Sequence, residues 1–278
     1  MELELKKECL DTYEPGEPQT LTQEETTETI VPDYCPDIAR IISAEGAVYL
    51  HGGAEQEGLS GTVRVTVLYT PENETGVRAL EFALPFTAQG EGLSDCTHVA
   101  AETEIELLES RMLNPRKIFT RCKLVTHLTG YRKVCLSLSS DVETLPEQRV
   151  EKRCCGQAAT LLRQIAEKDL TFSETMSLSL GREGAAELLH CRTSGTVTET
   201  KVIGNKLIFK GVFLVSVLYR TTGGQLASAS SELPFSQIME IDSASESVQV
   251  SMHLQITGAD IQIDGSDDEG RQLAVTIY

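Results

Sequence analysis

Tryptophan is absent from the 278-residue sequence, and aromatic residues of all kinds make up only 5 % of it. Basic residues are also scarce, since 24 Lys and Arg stand against 42 Asp and Glu and give a formal net charge of −18. Nucleic-acid binding depends on Lys and Arg that neutralise phosphates, so this charge argues against a nucleic-acid partner. No apolar run approaches the roughly 20 residues that span a bilayer, and membrane insertion is not expected.

Motifs for catalysis and for metal binding are missing as well. The Gly-x-Ser-x-Gly motif does not occur, and the five histidines are scattered, with no pair at ligand spacing. The acidic segment 264–270 does not place Gly and Glu where an EF-hand loop needs them, so an acidic hairpin turn is favoured there. We therefore predict a protein that is not an enzyme and that uses no metal or cofactor.

The cysteine pattern gives no sign of a redox or metal site. The N-terminus has no apolar signal core, which indicates a cytoplasmic protein that is not secreted. Cysteines are normally reduced in that compartment, and the eight cysteines include no Cys-x-x-Cys pair. We expect reduced, structural or incidental thiols.

An internal repeat is the strongest positive feature. The segment GTVRVTVLY at 61–69 recurs as GVFLVSVLY at 211–219, a shift of 211 − 61 = 150. The Leu-Pro-Phe motif at 84–86 recurs at 233–235, a shift of 233 − 84 = 149. The single lost residue falls in a stretch rich in turn formers, where length changes are tolerated. The chain therefore contains two diverged copies of one unit.

Periodicity predicts the local structure of each copy. Val63, Val65 and Val67 alternate with polar residues, which is typical of a half-buried strand. The 38–42 segment has helical apolar spacing after Pro36, so one short helix per copy is expected. Its apolar residues and their counterparts in the second copy, at a shift of 185 − 38 = 147, are Ile38, Ile41 and Ile42, and Ala185, Leu188 and Leu189.

These patterns predict a mainly β fold with two tandem diverged β-sandwich or barrel-like domains, each with one short helix. The expected divisions are an acidic flexible tail at 1–18, a first domain at 19–140, a connector at 141–165 and a second domain at 166–278.

Two hairpins are predicted from turn chemistry. Gly204 and Asn205 have the composition of a two-residue turn. A second hairpin, with a three-residue loop inside 127–132, keeps the apolar residues on one face. That register places Cys122 and Cys135 on opposite faces, so no disulfide is expected between them.

The C-terminal segment 273–278 corresponds to a strand that has a hairpin partner in the first copy but none in the second. An unpaired strand edge favours association. The natural protein is therefore expected either to continue beyond Tyr278, the second domain being truncated here, or to have this edge covered. The cover would be another chain, including self-association through this edge strand, or the segment that joins the two copies.

Several motifs together resemble the SPOCS domain family. They are VPDYCPDIARII at 31–42, the repeated strand, the Leu-Pro-Phe motif and NPRKI at 114–118. This sporulation-associated family of endospore-forming bacteria is otherwise uncharacterised, and its members commonly carry tandem SPOCS domains. Some members help to attach the coat to the forespore surface inside the mother cell. The second copy departs from the pattern, because LGREG at 180–184 stands where the first copy has PDYCPD.

The resemblance implies a non-catalytic structural or protein-interaction module in spore coat or envelope assembly. Its partners would be other proteins of the spore envelope, on the mother-cell side of the forespore surface. The candidate partner-docking segment is Pro32, Asp33, Tyr34, Cys35, Pro36 and Asp37. The same segment also fits a rigid turn before the predicted helix, with Cys35 as a small packed side chain.

A carbohydrate-binding or cell-surface adhesion domain is the alternative function. Sugar sites usually have aromatic platforms, for which Tyr34, Tyr49 and Tyr131 are available. The absence of tryptophan and of a signal core argues against this alternative.

Overall fold

The structure is a computed structural model, and it describes residues 4–55, 58–143, 151, 153, 155–156, 158–178, 183–242, 248–264 and 270–278. These residues are mainly β, and none of them is helical. A search of them found no helix long and apolar enough to cross a membrane. The strands are β1 (Glu4–Pro15), β2 (Gln19–Ile30), β3 (Ile38–Glu55), β4 (Gly58–Pro71), β5 (Arg78–Ala88), β6 (His98–Asn114), β7 (Lys117–Glu143), β8 (Phe172–Ser177), β9 (Ala185–Ile203), β10 (Lys206–Thr221), β11 (Leu226–Glu240), β12 (Ala259–Ile263) and β13 (Gln272–Ile277).

The strands form four sheets around two hydrophobic cores. One core receives side chains from the sheet β3-β4-β5 and from the sheet in which β7 pairs with β1, β2 and β6. The other receives side chains from β9-β10-β11 and from β12-β13-β8. Alternation along the central strands is as predicted, because Val63, Val65 and Val67 are fully buried and their polar neighbours point outward.

Strand β3 contains two β-bulges between Ile38 and Ser43, which explain why its apolar spacing there looks helical. Its pairing register with β4 shifts between Ile38 and Arg40 and again between Ile41 and Ser43. Each bulge inserts one unpaired residue and moves the apolar residues out of strict alternation. The predicted helix is therefore wrong, because two bulges in a strand produce the same spacing as a helical turn.

Strand β9 has bulges at the corresponding positions. The unpaired residues are Ala39 and Ile42 in β3, and Ala186 and Leu189 in β9, so both pairs are separated by 147 positions (186 − 39 and 189 − 42). The helix predicted for the second copy is wrong for the same reason. The shift of 147 that aligned 38–42 with 185–189 therefore aligns the same pair of bulges in β3 and β9.

The N-terminal segment is a strand and not a flexible tail. Strand β1 pairs antiparallel with the second half of β7, from Glu4 opposite Glu143 to Pro15 opposite Tyr131. Net acidity indicated an unattached segment, but every residue from Lys7 to Pro15 has a partner on β7, and Leu10 pairs with Leu136. The tail prediction is therefore wrong for residues 4–15.

The described part of the connector contacts both halves of the chain. The carbonyl oxygen of Leu162 accepts hydrogen bonds from Tyr13 N at 2.8 Å and from Thr12 Oγ1 at 3.0 Å. Lys168 Nζ donates to the carbonyl oxygen of Ile238 at 2.6 Å. The connector thus ties strand β1 and strand β11 to the same segment.

The hairpin predicted within 127–132 is also wrong. Strand β7 runs without a break from Lys117 to Glu143, with β2 along its first half and β1 along its second. Strands β2 and β1 pair one after the other with the same edge of β7. Strand β7 therefore continues through Gly130, and no turn forms there. In contrast, the Gly204 hairpin between β9 and β10 is confirmed, and Gly204 has the positive φ of 60° that the first turn position requires.

Strand β1 also changes the cysteine chemistry. Cys9 and Cys135 are disulfide-bonded, with their Cα atoms 5.7 Å apart. The expectation that all cysteines are reduced is therefore wrong for this pair, because the unforeseen strand places them on neighbouring positions. The absence of a bridge between Cys122 and Cys135 is confirmed, since Cys122 is a free buried thiol. The two residues lie far apart along β7, and not across a hairpin.

The C-terminal strand has partners on both sides. Leu273 of β13 pairs with Ile263 of β12 on one side and with Met176 of β8 on the other. Strand β8 covers this edge, and it lies within the predicted second domain and not in the segment that joins the two copies, so none of the predicted alternatives describes it. Strand β13 offers no free edge through which the protein could self-associate.

The thiols should differ strongly in their rates of alkylation. Burial raises the pKa of Cys122 to about 11 and that of Cys191 to about 12, while Cys155 is exposed. Because the thiolate is the reactive form, we expect iodoacetamide at pH 8 to label Cys155 and to leave the other two unlabelled. Their labelling should rise only as the pH approaches 11. Peptide mass mapping measures this, with urea-unfolded protein as the control. Fast labelling of native Cys122 at pH 8 would contradict the structure.

Candidate functional site

The loop 31–37 joins β2 to β3 and is attached to the turn between β6 and β7. Val31 N donates to the carbonyl oxygen of Arg116 at 2.9 Å, and Ile38 N donates to that of Pro115 at 2.9 Å. Within the loop, Cys35 N donates to the carbonyl oxygen of Pro32 at 2.9 Å. The loop is therefore fixed at both ends and closed by an internal turn.

Arg116 is the centre of this site. Its Nη1 donates to the carbonyl oxygen of Cys35 at 2.8 Å and to Asp37 Oδ1 at 2.9 Å. Its Nη2 donates to the carbonyl oxygen of Val31 at 2.9 Å and to Asp33 Oδ1 at 3.0 Å. The planar guanidinium has several donors in a rigid fork, so a single side chain fixes four points of the loop.

The six predicted docking residues have different roles in this geometry. Cys35 packs against the first core, and the carbonyl oxygen of Pro36 accepts a hydrogen bond from Tyr69 Oη at 3.3 Å. Burial raises the pKa of Tyr69 to about 12, so its hydroxyl remains a donor. Tyr34 points into solvent with 88 % of its surface exposed, and the Asp33 side chain is fully exposed. The loop thus presents an aromatic ring and a carboxylate on a rigid backbone.

Sequence reasoning assigned no role to Arg116. The NPRKI motif around it was noticed, but nothing in the sequence shows that this turn lies against the segment 31–37. Asn114 Oδ1 accepts a hydrogen bond from Arg116 N at 2.9 Å, so the motif is a side-chain-stabilised turn. A basic residue after an Asn-Pro turn, together with two aspartates in a distant Pro-rich segment, was the available signal.

A polar cavity of about 450 Å³ lies between the two halves of the chain. Arg64 Nη1 donates to the carbonyl oxygen of Ala259 at 2.7 Å, and its guanidinium lies 5.1 Å from the centre of the Tyr49 ring. Glu45 Oε2 lies 3.0 Å from His190 Nε2, in a geometry that does not meet the angle of a hydrogen bond. The contact of Arg64 with Ala259 and that of Glu45 with His190 cross from one half to the other.

A four-residue ion network also joins the halves. Glu187 Oε2 accepts from Arg78 Nη1 at 3.2 Å and makes a second, shorter contact with Arg220 Nη2. Arg78 in turn is 2.5 Å from Glu74. Contacts between the halves are thus largely electrostatic and partly exposed.

The three tyrosines considered for sugar binding do not form one platform. Tyr34 is in the loop 31–37, which we call the docking loop. Tyr49 is 9 % exposed beside Arg64, and burial raises its pKa. Tyr131 is in β7, opposite Pro15. Across the described ranges, no group of three His, Cys, Asp or Glu side chains could hold a metal ion, and 265–269 of the acidic segment lie outside those ranges.

Comparison with known families identifies part of the chain. Residues 185–264 match the family model described as SipL, SPOCS domain. This segment is a SPOCS domain match, as the sequence motifs indicated. The match runs from the start of β9 to just past β12 and covers the sheet β9-β10-β11. No curated protein and no solved structure matches the chain.

The second half has three backbone hydrogen bonds that correspond to bonds around the docking loop of the first half. The corresponding donor and acceptor pairs are Val31 N to Arg116 O and Leu178 N to Arg271 O, Ile38 N to Pro115 O and Ala185 N to Gly270 O, and Glu72 N to Asp37 O and Thr222 N to Gly184 O. Arg271 therefore occupies the position of Arg116. Residues 180–182 of the departing LGREG segment lie outside the described residues.

Proposed function

We propose that this chain is a non-catalytic structural or protein-interaction module of spore coat or envelope assembly. The observation that carries the proposal is the SPOCS match at 185–264, because that domain is sporulation-associated. The partners would be other proteins of the spore envelope. The protein would act in the cytoplasm of the mother cell, at the forespore surface.

We further propose that the chain consists of two tandem diverged domains of this type. The matched bulges of β3 and β9 support the proposal, as do the equivalent backbone bonds around Arg116 and Arg271. A third similarity is a buried glycine opposite a phenylalanine, Gly61 with Phe86 in one half and Gly211 with Phe235 in the other. Such irregular features are position-specific, so their repetition supports a common origin better than alternation alone.

The docking loop has the physical properties of a recognition surface. Arg116 fixes its backbone before binding, so little conformational entropy would be lost when a partner docks. Tyr34 is an exposed aromatic residue on this rigid support, and tyrosine is enriched among the residues that contribute most binding energy at interfaces.

A pull-down from sporulating cells tests this function. Tagged wild-type protein and Tyr34→Ala would be compared, with Tyr278→Ala, an aromatic residue 51 % exposed, as the control. We expect Tyr34→Ala to reduce capture of a spore-envelope protein by about tenfold or more, since an interface residue of this type contributes about 2 kcal/mol. Tyr278→Ala should behave as wild type.

Two results would contradict the proposal. One is equal capture by Tyr34→Ala and wild type, and the other is the same captured proteins from vegetative and sporulating cells. Binding of soluble glycans that depends on Tyr34 would instead favour the carbohydrate-binding alternative.

A further inference from the structure

The outward face of the sheet β9-β10-β11 carries several exposed apolar side chains. We call it the β10 face, and its exposed large side chains include Leu214 at 44 %, Leu226 at 50 % and Ile238 at 51 %. They lie on one side of the sheet because Leu226 pairs with Arg220 and Ile238 with Ile208, all on even positions along β10. Val212 and Leu218 lie between them on β10, while Lys206, Lys210 and Arg220 share the same face and Glu232 is opposite Leu214.

The equivalent face of the first half is occupied by the second half. Arg64 and Glu45 lie on the outward side of β3-β4-β5 and contact Ala259 and His190, respectively. At the shift of 150, Arg64 corresponds to Leu214. The same sheet position thus has an arginine at a contact between the halves in the first half and an exposed leucine in the second.

The β9 bulge that lies between the two halves has an exposed counterpart in the bulge of β3. Leu189, a bulge residue between the cross-half contacts of Glu187 and His190, is only 2 % exposed. Its equivalent in the first half, Ile42, is 50 % exposed. One chain therefore has exposed apolar side chains both on the β10 face and at the β3 bulge.

We infer that chains associate head to tail, with the β3 bulge around Ile42 of one copy on the β10 face of the next. This contact would repeat the one that the β9 bulge makes within the chain, and it rests on the proposed tandem domains. Three strands about 4.8 Å apart and 11 residues long give a face of roughly 500 Å² for each copy, or about 1,000 Å² in total. That area is near the lower limit for a specific interface, so the contact would be weak and dependent on concentration. A contact between two different surfaces continues into open chains or closes into rings.

Sedimentation or light scattering over a concentration series tests the inference. The weight-average mass of the wild type should rise about twofold or more with concentration, as a repeating contact requires. Leu214→Arg introduces the residue that the first half has at this position and should remain monomeric. Ile42→Arg should also remain monomeric. Leu113→Arg, at a side chain 44 % exposed near the β6–β7 turn, is the control and should associate as wild type does.

Mixing the two variants gives the decisive result. Each retains one intact surface, so an equimolar mixture should form a 1:1 complex that does not grow further. A wild type that is monomeric throughout, a mixture that stays monomeric, or loss of association in Leu113→Arg would overturn the inference. If circular dichroism shows that Leu214→Arg is misfolded, Val212→Thr tests the same face with the residue that the first half has there, Thr62. All these variants leave the docking loop intact, so failure with Tyr34-dependent capture preserved overturns only the head-to-tail contact.

Discussion

Replacement of Gly61 by valine is expected to lower the free energy of unfolding by about 3 kcal/mol, because the added side chain overpacks a filled core. A Cβ atom at this position would lie 2.5 Å from Phe86 Cζ and 2.9 Å from the carbonyl oxygen of Tyr49. Phe86 is directly opposite on β5 and only 4 % exposed, so its ring cannot move away without disturbing the first core. The backbone oxygen cannot move at all without a shift of β3.

Urea unfolding followed by circular dichroism measures this effect. Gly156→Val is the matched control, because an added Cβ at Gly156 meets no atom within 4 Å. The control should leave the transition midpoint unchanged. If Gly61→Val unfolded at the same urea concentration as wild type, the close packing of Phe86 over Gly61 would be wrong.

Replacement of Arg116 by alanine is expected to lower the free energy of unfolding by about 2 kcal/mol, because charge-assisted hydrogen bonds to the loop are lost. Its four acceptors are two backbone carbonyl oxygens and the carboxylates of Asp33 and Asp37. The loss of unfolding free energy is smaller than the sum of four such bonds, because the Arg116 side chain is 33 % exposed and water replaces part of them. The amides of 31–37 should also exchange faster, since the loop loses its central support.

Thermal or urea unfolding and hydrogen exchange of the loop peptides check this prediction together. Arg121→Ala is the control, since Arg121 pairs with Glu24 on the sheet surface and such pairs contribute only about 0.5 kcal/mol. Arg116→Lys should restore little, because a single ammonium cannot reach four acceptors in the plane of a guanidinium. Unchanged exchange of the loop in Arg116→Ala would show that the guanidinium does not hold it.

Several features of the fold could be read from local sequence alone. The buried strands were recognised because side chains on a strand alternate strictly between core and solvent, as Val63, Val65 and Val67 do. The turn at Gly204 was recognised because a positive φ favours glycine. The repeat was recognised because equivalent strands require similar residues, and the SPOCS match at 185–264 falls within its second copy.

The candidate docking residues were only partly understood from sequence. Their Pro-rich composition indicated a rigid turn, which is the conformation of the loop. Its support could not be predicted, because Arg116 lies 79 positions from Asp37 and meets it only through the pairing of β6 with β7. Which of the six residues faces solvent was also decided by packing, as the contrast between exposed Tyr34 and core-packed Cys35 shows.

The sequence by itself determined the buried, alternating strands and the segments that recur, because alternation, turn residues and repeated residues can be read along the chain. The tertiary structure decided the bulges of β3, the attachment of β1 and the unbroken course of β7, together with the disulfide of Cys9 and Cys135 that depends on them. Each of these features depends on the strand that lies alongside, and that partner comes from a distant part of the chain. A bulge or a missing turn is favourable only when the neighbouring strand supplies matching hydrogen bonds, so local sequence cannot specify it.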